Sequence, residues 1–226
     1  ATASFFGRRL RRETGREDLL AKLLGNVRPA VHHEEEQQRL ALVLERAEPE
    51  RDLVQRFYDG LERYSPVLVS WNGSGFDLPV LNHRALIHGV TAAKFWDWGD
   101  DDREFKYKNY LSRYHWRHID LMDVLSGFQS RARAPLDSVA TMLGFPGKMG
   151  MAGDKVWKTW LDGGIRMIRN YCETDVLNTY LIFLRFEHMR GHLDDDALAS
   201  EFKLVRSVLA SSEEAHLHEF LAAWPA

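Results

Sequence analysis

One stretch constrains this chain more than any other. Pro66-Val-Leu-Val-Ser-Trp71 is a short apolar run that stops at Asn72-Gly-Ser-Gly75, and Phe76-Asp77-Leu-Pro79 follows. The run reads as a buried strand, and the Asn/Gly/Ser segment reads as a turn. Pro79 favours the first turn of a helix that continues through Leu81, Ala85 and Leu86 and stops at Gly89. Asp77 then lies where a strand hands over to a helix. In open α/β sheets ligands gather at that place, because the carboxyl ends of the strands meet the N-termini of the helices there. Ahead of the strand, Leu53, Val54, Phe57 and Leu61 recur at helical spacing from Glu50 onward. Helix, strand, turn, helix in that order point to an α/β domain.

The rest of the chain is read on the same terms. Residues 91 to 116 carry many Trp, Tyr and charged residues without clean periodicity, a long excursion of the kind that is often functional. A strand is expected at about Arg117 to Met122, and short helices at Pro135 to Leu143 and Lys155 to Trp160. A long helix is expected from Ile165 to about Met189, with two more helices after Asp194. The first stretch, Ala1 to Pro49, reads differently. It holds the basic run Arg8, Arg9, Arg11, Arg12, the acidic run Glu34 to Glu36, and an apolar run Leu40 to Leu44 that periodicity leaves open between strand and helix. The expected organisation is an atypical segment 1–49, a core over 50–192 and a helical extension over 193–226.

Composition excludes several classes. With 45% hydrophobic and 28% charged residues the chain has the balance of a globular domain and not of a disordered one. No apolar run approaches the roughly 20 residues of a membrane span, so no membrane association is expected. The single cysteine, Cys172, rules out an internal disulfide framework and a thiolate zinc site, and a reducing, cytoplasmic compartment is the expectation. A net charge of −3 means that a polyanionic partner must be held by local patches or by metal ions.

Tyr171 and Asp175 stand four apart on the long helix, so both project from one face about one turn apart. If the sheet brings Asp77 to them, the carboxylates repel unless a cation neutralises them. Hard oxygen donors favour Mg²⁺ or Mn²⁺, the ions that serve two-metal phosphodiester hydrolysis.

The flanking residues carry a specific resemblance. Ser70-Trp-Asn-Gly-Ser-Gly-Phe-Asp-Leu-Pro-Val-Leu81 resembles the second motif of DnaQ-like exonucleases, and Tyr171-Cys-Glu-Thr-Asp-Val-Leu-Asn-Thr-Tyr180 resembles the third in its tyrosine-bearing form. The chain is similar in particular to bacterial predicted exonucleases related to the proofreading domain of family B DNA polymerases. That likeness runs from about Leu53 to the C-terminus through Arg117-His-Ile-Asp-Leu-Met-Asp123, Leu143-Gly-Phe-Pro-Gly-Lys148 and Gly153-Asp-Lys-Val-Trp157. The resemblance implies a ribonuclease H-like fold, a mixed central sheet flanked by helices. It implies metal-dependent 3′-5′ release of nucleotides from a single-stranded 3′ end, with DNA as the expected nucleic acid. It makes Asp77 and Asp175 the metal ligands and Tyr171 the residue that positions the nucleophilic water. Asn72 and Phe76 would hold the unpaired end, Phe76 by stacking on a base.

The family's first motif, an Asp-x-Glu on the opening strand that supplies two further carboxylates, has no counterpart ahead of Asn72. The only Asp-x-Glu in the chain is Asp102-Arg103-Glu104, which follows the second motif and lacks a strand signature, while Glu34 and Glu36 merely precede the Leu40 run. Truncation upstream of Ala1 is the expectation. The rivals are relocated ligands and a catalytically impaired nuclease-derived module that binds nucleic acid or a protein, and the enzyme reading stays open between them.

Plainer readings stand beside each residue. Asp77 could cap its helix, Asn72 could serve the turn, and Phe76 could pack in the core. His115, His118 and Asp120 lack the spacing of a zinc site, and Asp120 reads as a structural or site-edge residue. Lys148 and Lys155 are candidates for a phosphate contact or for simple solvation. Cys172 is expected to pack away from the site, and His216 and His218 to lie at the surface.

Overall fold

In the computed structural model of the chain the residues described are 4–6 and 50–225. The Arg8 to Arg12, Glu34 to Glu36 and Leu40 to Leu44 runs lie outside the described residues. Three short strands make one sheet: β1 (Ser4–Phe6), β2 (Val67–Ser70) and β3 (His118–Asp120). The order is β1-β2-β3, with β1 antiparallel to β2 and β3 parallel to it, so the sheet is mixed but small and the described chain is mostly helical. The parallel register sets Ser70 beside Asp120 at the carboxyl end of both strands.

The helices follow the sequence pattern closely. They are α1 (Glu50–Tyr64), α2 (Asp77–His88), α3 (Ala93–Trp96), α4 (Leu121–Leu125), α5 (Leu136–Met142), α6 (Val156–Leu161), α7 (Ile165–Met189), α8 (Asp195–Ser211) and α9 (Ala215–Ala223). Helix α2 ends where Gly89 takes a left-handed φ of 61°, and the Gly89 and Val90 amides donate to the last-turn carbonyls of Leu86 and Ala85. At the head of α8 the Asp194 carboxylate accepts from the Ala197 amide, as its position ahead of the helix predicts. Strand β3 is shorter than expected because α4 begins directly at Leu121. The excursion 91–116 contains α3 and a 3-10 turn at Arg103–Lys106.

Alternation along β2 separates two cores. Val67 and Val69 face one side, where Ile119, Leu121 and the Leu177, Leu181 and Leu184 stripe of α7 meet Val205 and Leu209 of α8 and Phe220 of α9. Leu68 faces the other, with Val54, Tyr58 and Leu61 of α1 and Leu78, Phe95, Phe105 and Tyr110. Leu53, part of the predicted stripe, is exposed, and Tyr58 takes the buried place. Each fully buried Leu contributes about 2 kcal/mol from apolar burial, so the α7 stripe alone anchors that helix firmly. The C-terminal half of α7 is embedded in the core while its N-terminal half remains partly open. Among the described residues no helix is long and apolar enough to cross a membrane.

Candidate active site

The turn between β2 and α2 is held by a single buried carboxylate. Asp120, at the end of β3, accepts from the backbone amides of Asn72 and Ser74, each at 2.9 Å, one per carboxylate oxygen. Asn72 adopts φ 62°, a left-handed conformation that asparagine tolerates better than most residues. A Cβ on Gly73 would lie 2.3 Å from Ser70 Oγ, so only glycine fits that close approach. Ser70 Oγ is itself 2.8 Å from His118 Nε2. Burial depresses the His118 pKa to about 4, the nearby Asp120 and Asp123 charges notwithstanding, so the ring is neutral.

This frame delivers Asp77 to the first position of α2, with Phe76 at the N-cap and no side-chain cap bond. Asp77 is thus not the N-cap residue, although its carboxylate accepts from its own amide in the first turn. Core packing does not account for Phe76, whose surface is 56% exposed. Across from them, α7 presents Tyr171 and Asp175. Asn72, Phe76, Asp77, Tyr171 and Asp175 all line one cavity of about 480 Å³, together with Trp71, Leu136, Gly153 and Val156. Cys172 lines the same cavity, contrary to the expectation that it packs elsewhere: its wall is wide enough to take successive residues of α7.

The electrostatics of the cavity are those of desolvated acids. Burial raises the Asp77 pKa and the neighbouring Asp120 charge adds to the rise, while the hydrogen bond to its own backbone amide opposes it. Burial likewise raises Asp175, opposed by the hydrogen bond from Tyr171 and by the Lys148 charge. Tyr171 is pushed far up, by burial first and then by its bond to Asp175, so its hydroxyl keeps its proton. A Cβ on Gly153 would sit 3.9 Å from that hydroxyl, which leaves the arm before α6 close beside Tyr171.

Lys148 is placed by a clamp. Asn178 exchanges hydrogen bonds with both backbone groups of Gly147, at 3.1 and 2.8 Å, and Asp137 accepts from the Lys148 amide at 2.7 Å. The loop thereby borders a smaller cavity of about 190 Å³ that shares Tyr171 and Asp175 with the first. Lys155 instead borders a third cavity, also walled by Tyr171.

Other acids and histidines are taken up elsewhere. Asp102 caps the 3-10 turn and faces Lys94, and Glu104 pairs with Arg117 and Lys108, so this Asp-x-Glu does not reach the cavity. His115 accepts from the Asn109 amide, away from His118. His216 is not a surface residue: its ring is nine-tenths covered and Nε2 lies 2.6 Å from Glu173 of α7, because α9 folds back on that helix. Among the described residues no group of three or more His, Cys, Asp or Glu converges as a metal cluster. Asp77 and Asp175 nevertheless suit a divalent cation in chemistry. Both are hard oxygen donors in a partly desolvated wall, and neither has an ion-pair partner among the described residues.

Asp77 at the head of α2 and the Tyr171/Asp175 pair of α7 face one cleft beside a small mixed sheet, an arrangement consistent with an α/β exonuclease-like domain. The chain belongs to the family described as predicted 3′-5′ exonuclease related to the exonuclease domain of PolB, whose model matches residues 24–224. Searches among curated proteins and among solved structures give no match.

Proposed function

We propose that the protein is a metal-dependent 3′-5′ exonuclease domain that acts on single-stranded 3′ ends of nucleic acid, DNA before RNA. The supporting observation is that Asp77 and the Tyr171/Asp175 pair, far apart in the chain, wall one cavity of about 480 Å³, a volume that accommodates a nucleotide. Ribonuclease H-like architecture is part of this proposal, with 50–192 as the catalytic core and 193–226 as a helical extension packed on it.

Asp77 and Asp175 would hold Mg²⁺ or Mn²⁺, which when bound supplies a water of lowered pKa and charge opposite the leaving oxygen. Tyr171 keeps its proton and stands beside Asp175, where its hydroxyl can orient the attacking water. Phe76, exposed at the mouth, offers a face for the terminal base, and Asn72 fixes the turn that carries it. Lys148 brings a positive charge to the Asp175 side, suited to the scissile phosphate.

The test is release from 3′-labelled single-stranded DNA in Mn²⁺ by the chain and by its Asp77→Ala, Asp175→Ala double variant. Wild-type release with a loss of about a thousandfold or more in the variant is expected, since groups that act as a unit fail together. Equal, negligible release from both ends the enzyme reading. A second reading, a nuclease-derived binding module, is favoured by the one Asp-x-Glu being committed to Lys94, Arg117 and Lys108 outside the cavity. That reading predicts retained affinity for single strands without release.

A further inference from the structure

From the geometry around Asp123 we infer that a patch formed by Arg113, Tyr114, Phe128, Arg131 and Arg133 binds the backbone and a base of single-stranded nucleic acid just upstream of the nucleotide in the cavity. The inference rests on the reading of the cavity as a 3′-end site.

Asp123 is a buried carboxylate on α4, with a side chain 4% exposed, and it holds two arginines at the surface: Arg113 at 2.9 Å through one oxygen and Arg133 through the other. Two guanidiniums share one carboxylate, so the group keeps an excess positive charge. Their side chains are 41% and 34% exposed, which leaves donors directed outward. Arg131 adds a third cation, exposed and without an ion-pair partner among the described residues. Guanidiniums splayed and fixed in this way match phosphate oxygens, which take paired N–H donors. The chain as a whole carries −3, so a polyanion must be held by such a local excess.

The aromatic half of the patch is as firmly built. Phe128 sits at φ 62°, a strained conformation for a bulky residue, and its amide donates to the Asp123 carbonyl at 2.8 Å. Its ring meets Tyr114 edge-on with centroids 4.9 Å apart, and the Arg113 guanidinium lies 5.2 Å from the Phe128 centroid. Tyr114 is 67% exposed, with an open face on which a base can stack. Aromatic rings beside fixed cations are the combination that single-strand binding uses.

The chain ties the patch to the cavity. Helix α4 starts at the carboxyl end of β3, on the same side of the parallel pair as the Asn72 turn. Leu136, three residues after Arg133, lines the cavity, and three residues span at most about 11 Å of extended chain. That reach is one or two nucleotides from the cavity mouth, so a strand whose 3′ end sits by Phe76 can lay its next phosphate on the arginines.

The experiment measures binding of a mononucleotide and of a long single-stranded DNA oligonucleotide by fluorescence anisotropy with Ca²⁺ in place of Mn²⁺, for the wild type, Tyr114→Ala and Arg131→Ala. Both substitutions are at exposed residues and leave the Asp123 pairs in place. Tyr114→Ala should weaken the long oligonucleotide about tenfold and leave the mononucleotide within about twofold, the loss that removing one stacked base brings. Arg131→Ala should also lower the slope of log Kd against log salt by about one. Unchanged affinity for the long oligonucleotide in both variants, or equal losses for both lengths, overturns the patch. So does a wild type that binds neither probe, or variants that lose self-association instead of DNA affinity, which would mark a protein interface. The cavity reading is judged apart, by Mn²⁺-dependent release: release without patch-dependent binding overturns the patch alone, and patch-dependent binding without release overturns the exonuclease alone.

Discussion

Two sets of carboxylates in this molecule meet opposite fates. In the cavity, Asp77 and Asp175 are partly desolvated without an ion-pair partner among the described residues, and burial raises both pKa values. In the 91–133 region, Asp102, Glu104 and Asp123 are matched to Lys94, Arg117, Arg113 and Arg133, and Asp102 is lowered by its cap bond to the Glu104 amide and then by Lys94. A protein gains nothing in stability from an unmatched buried charge, so acids left in that condition point to a ligand that matches them, whereas paired acids serve the fold.

The largest expected effect tests that division directly. Asp175→Asn should lower nucleotide release by about a thousandfold, whereas Asp102→Ala should leave it within about twofold, as measured on 3′-labelled single strands in Mn²⁺. Similar losses from both substitutions would erase the distinction. Next in size, Asp120→Ala should lower stability by about 3 kcal/mol in urea melts, because two amides of the Asn72 turn lose a charged acceptor. Asp123→Asn should lower stability by about 2 kcal/mol, since a neutral amide cannot match two guanidiniums whose partial exposure screens the loss.

Acidity gives a smaller test. His118 is held neutral, with its pKa depressed to about 4 from the ordinary 6.5 of a histidine. A group depressed in the folded state contributes stability that is full above 6.5 and is lost as pH falls through about 4. Urea midpoints taken across that window should fall in the wild type and flatten in His118→Gln. Smallest of all, Asp77→Asn should raise stability at neutral pH. A raised folded-state pKa means that stability is complete below the ordinary aspartate range and is lost as pH rises through the folded value, so removing the charge restores it. A variant less stable than the wild type at neutral pH would mean that Asp77 serves the fold after all.

Much of this was legible in the sequence. The strand at Val67–Ser70, the helix opening at Asp77 and the helix Ile165–Met189 follow from apolar periodicity and from the Gly and Pro positions, which act over a few residues. Tyr171 and Asp175 share a face because four residues make about one helical turn. The family assignment rested on the same local strings and agrees with the match over residues 24–224. Cys172 and His216 were misplaced because cavity walls and the fold-back of α9 depend on packing between distant elements.

By itself the sequence determined which segments are helix or strand, where the chain turns and which residue types stand at the ends of those segments, because propensity, capping and periodicity are short-range forces. Tertiary structure alone decided that Asp120 braces the Asn72 turn from a parallel strand, that Asp77 and Asp175 wall one cavity while Asp102 and Glu104 do not, and that Asp123 gathers two arginines beside it. Those outcomes depend on distances between residues remote in the chain, and on burial, which sets whether a carboxylate meets a cation, an amide or a partly desolvated wall.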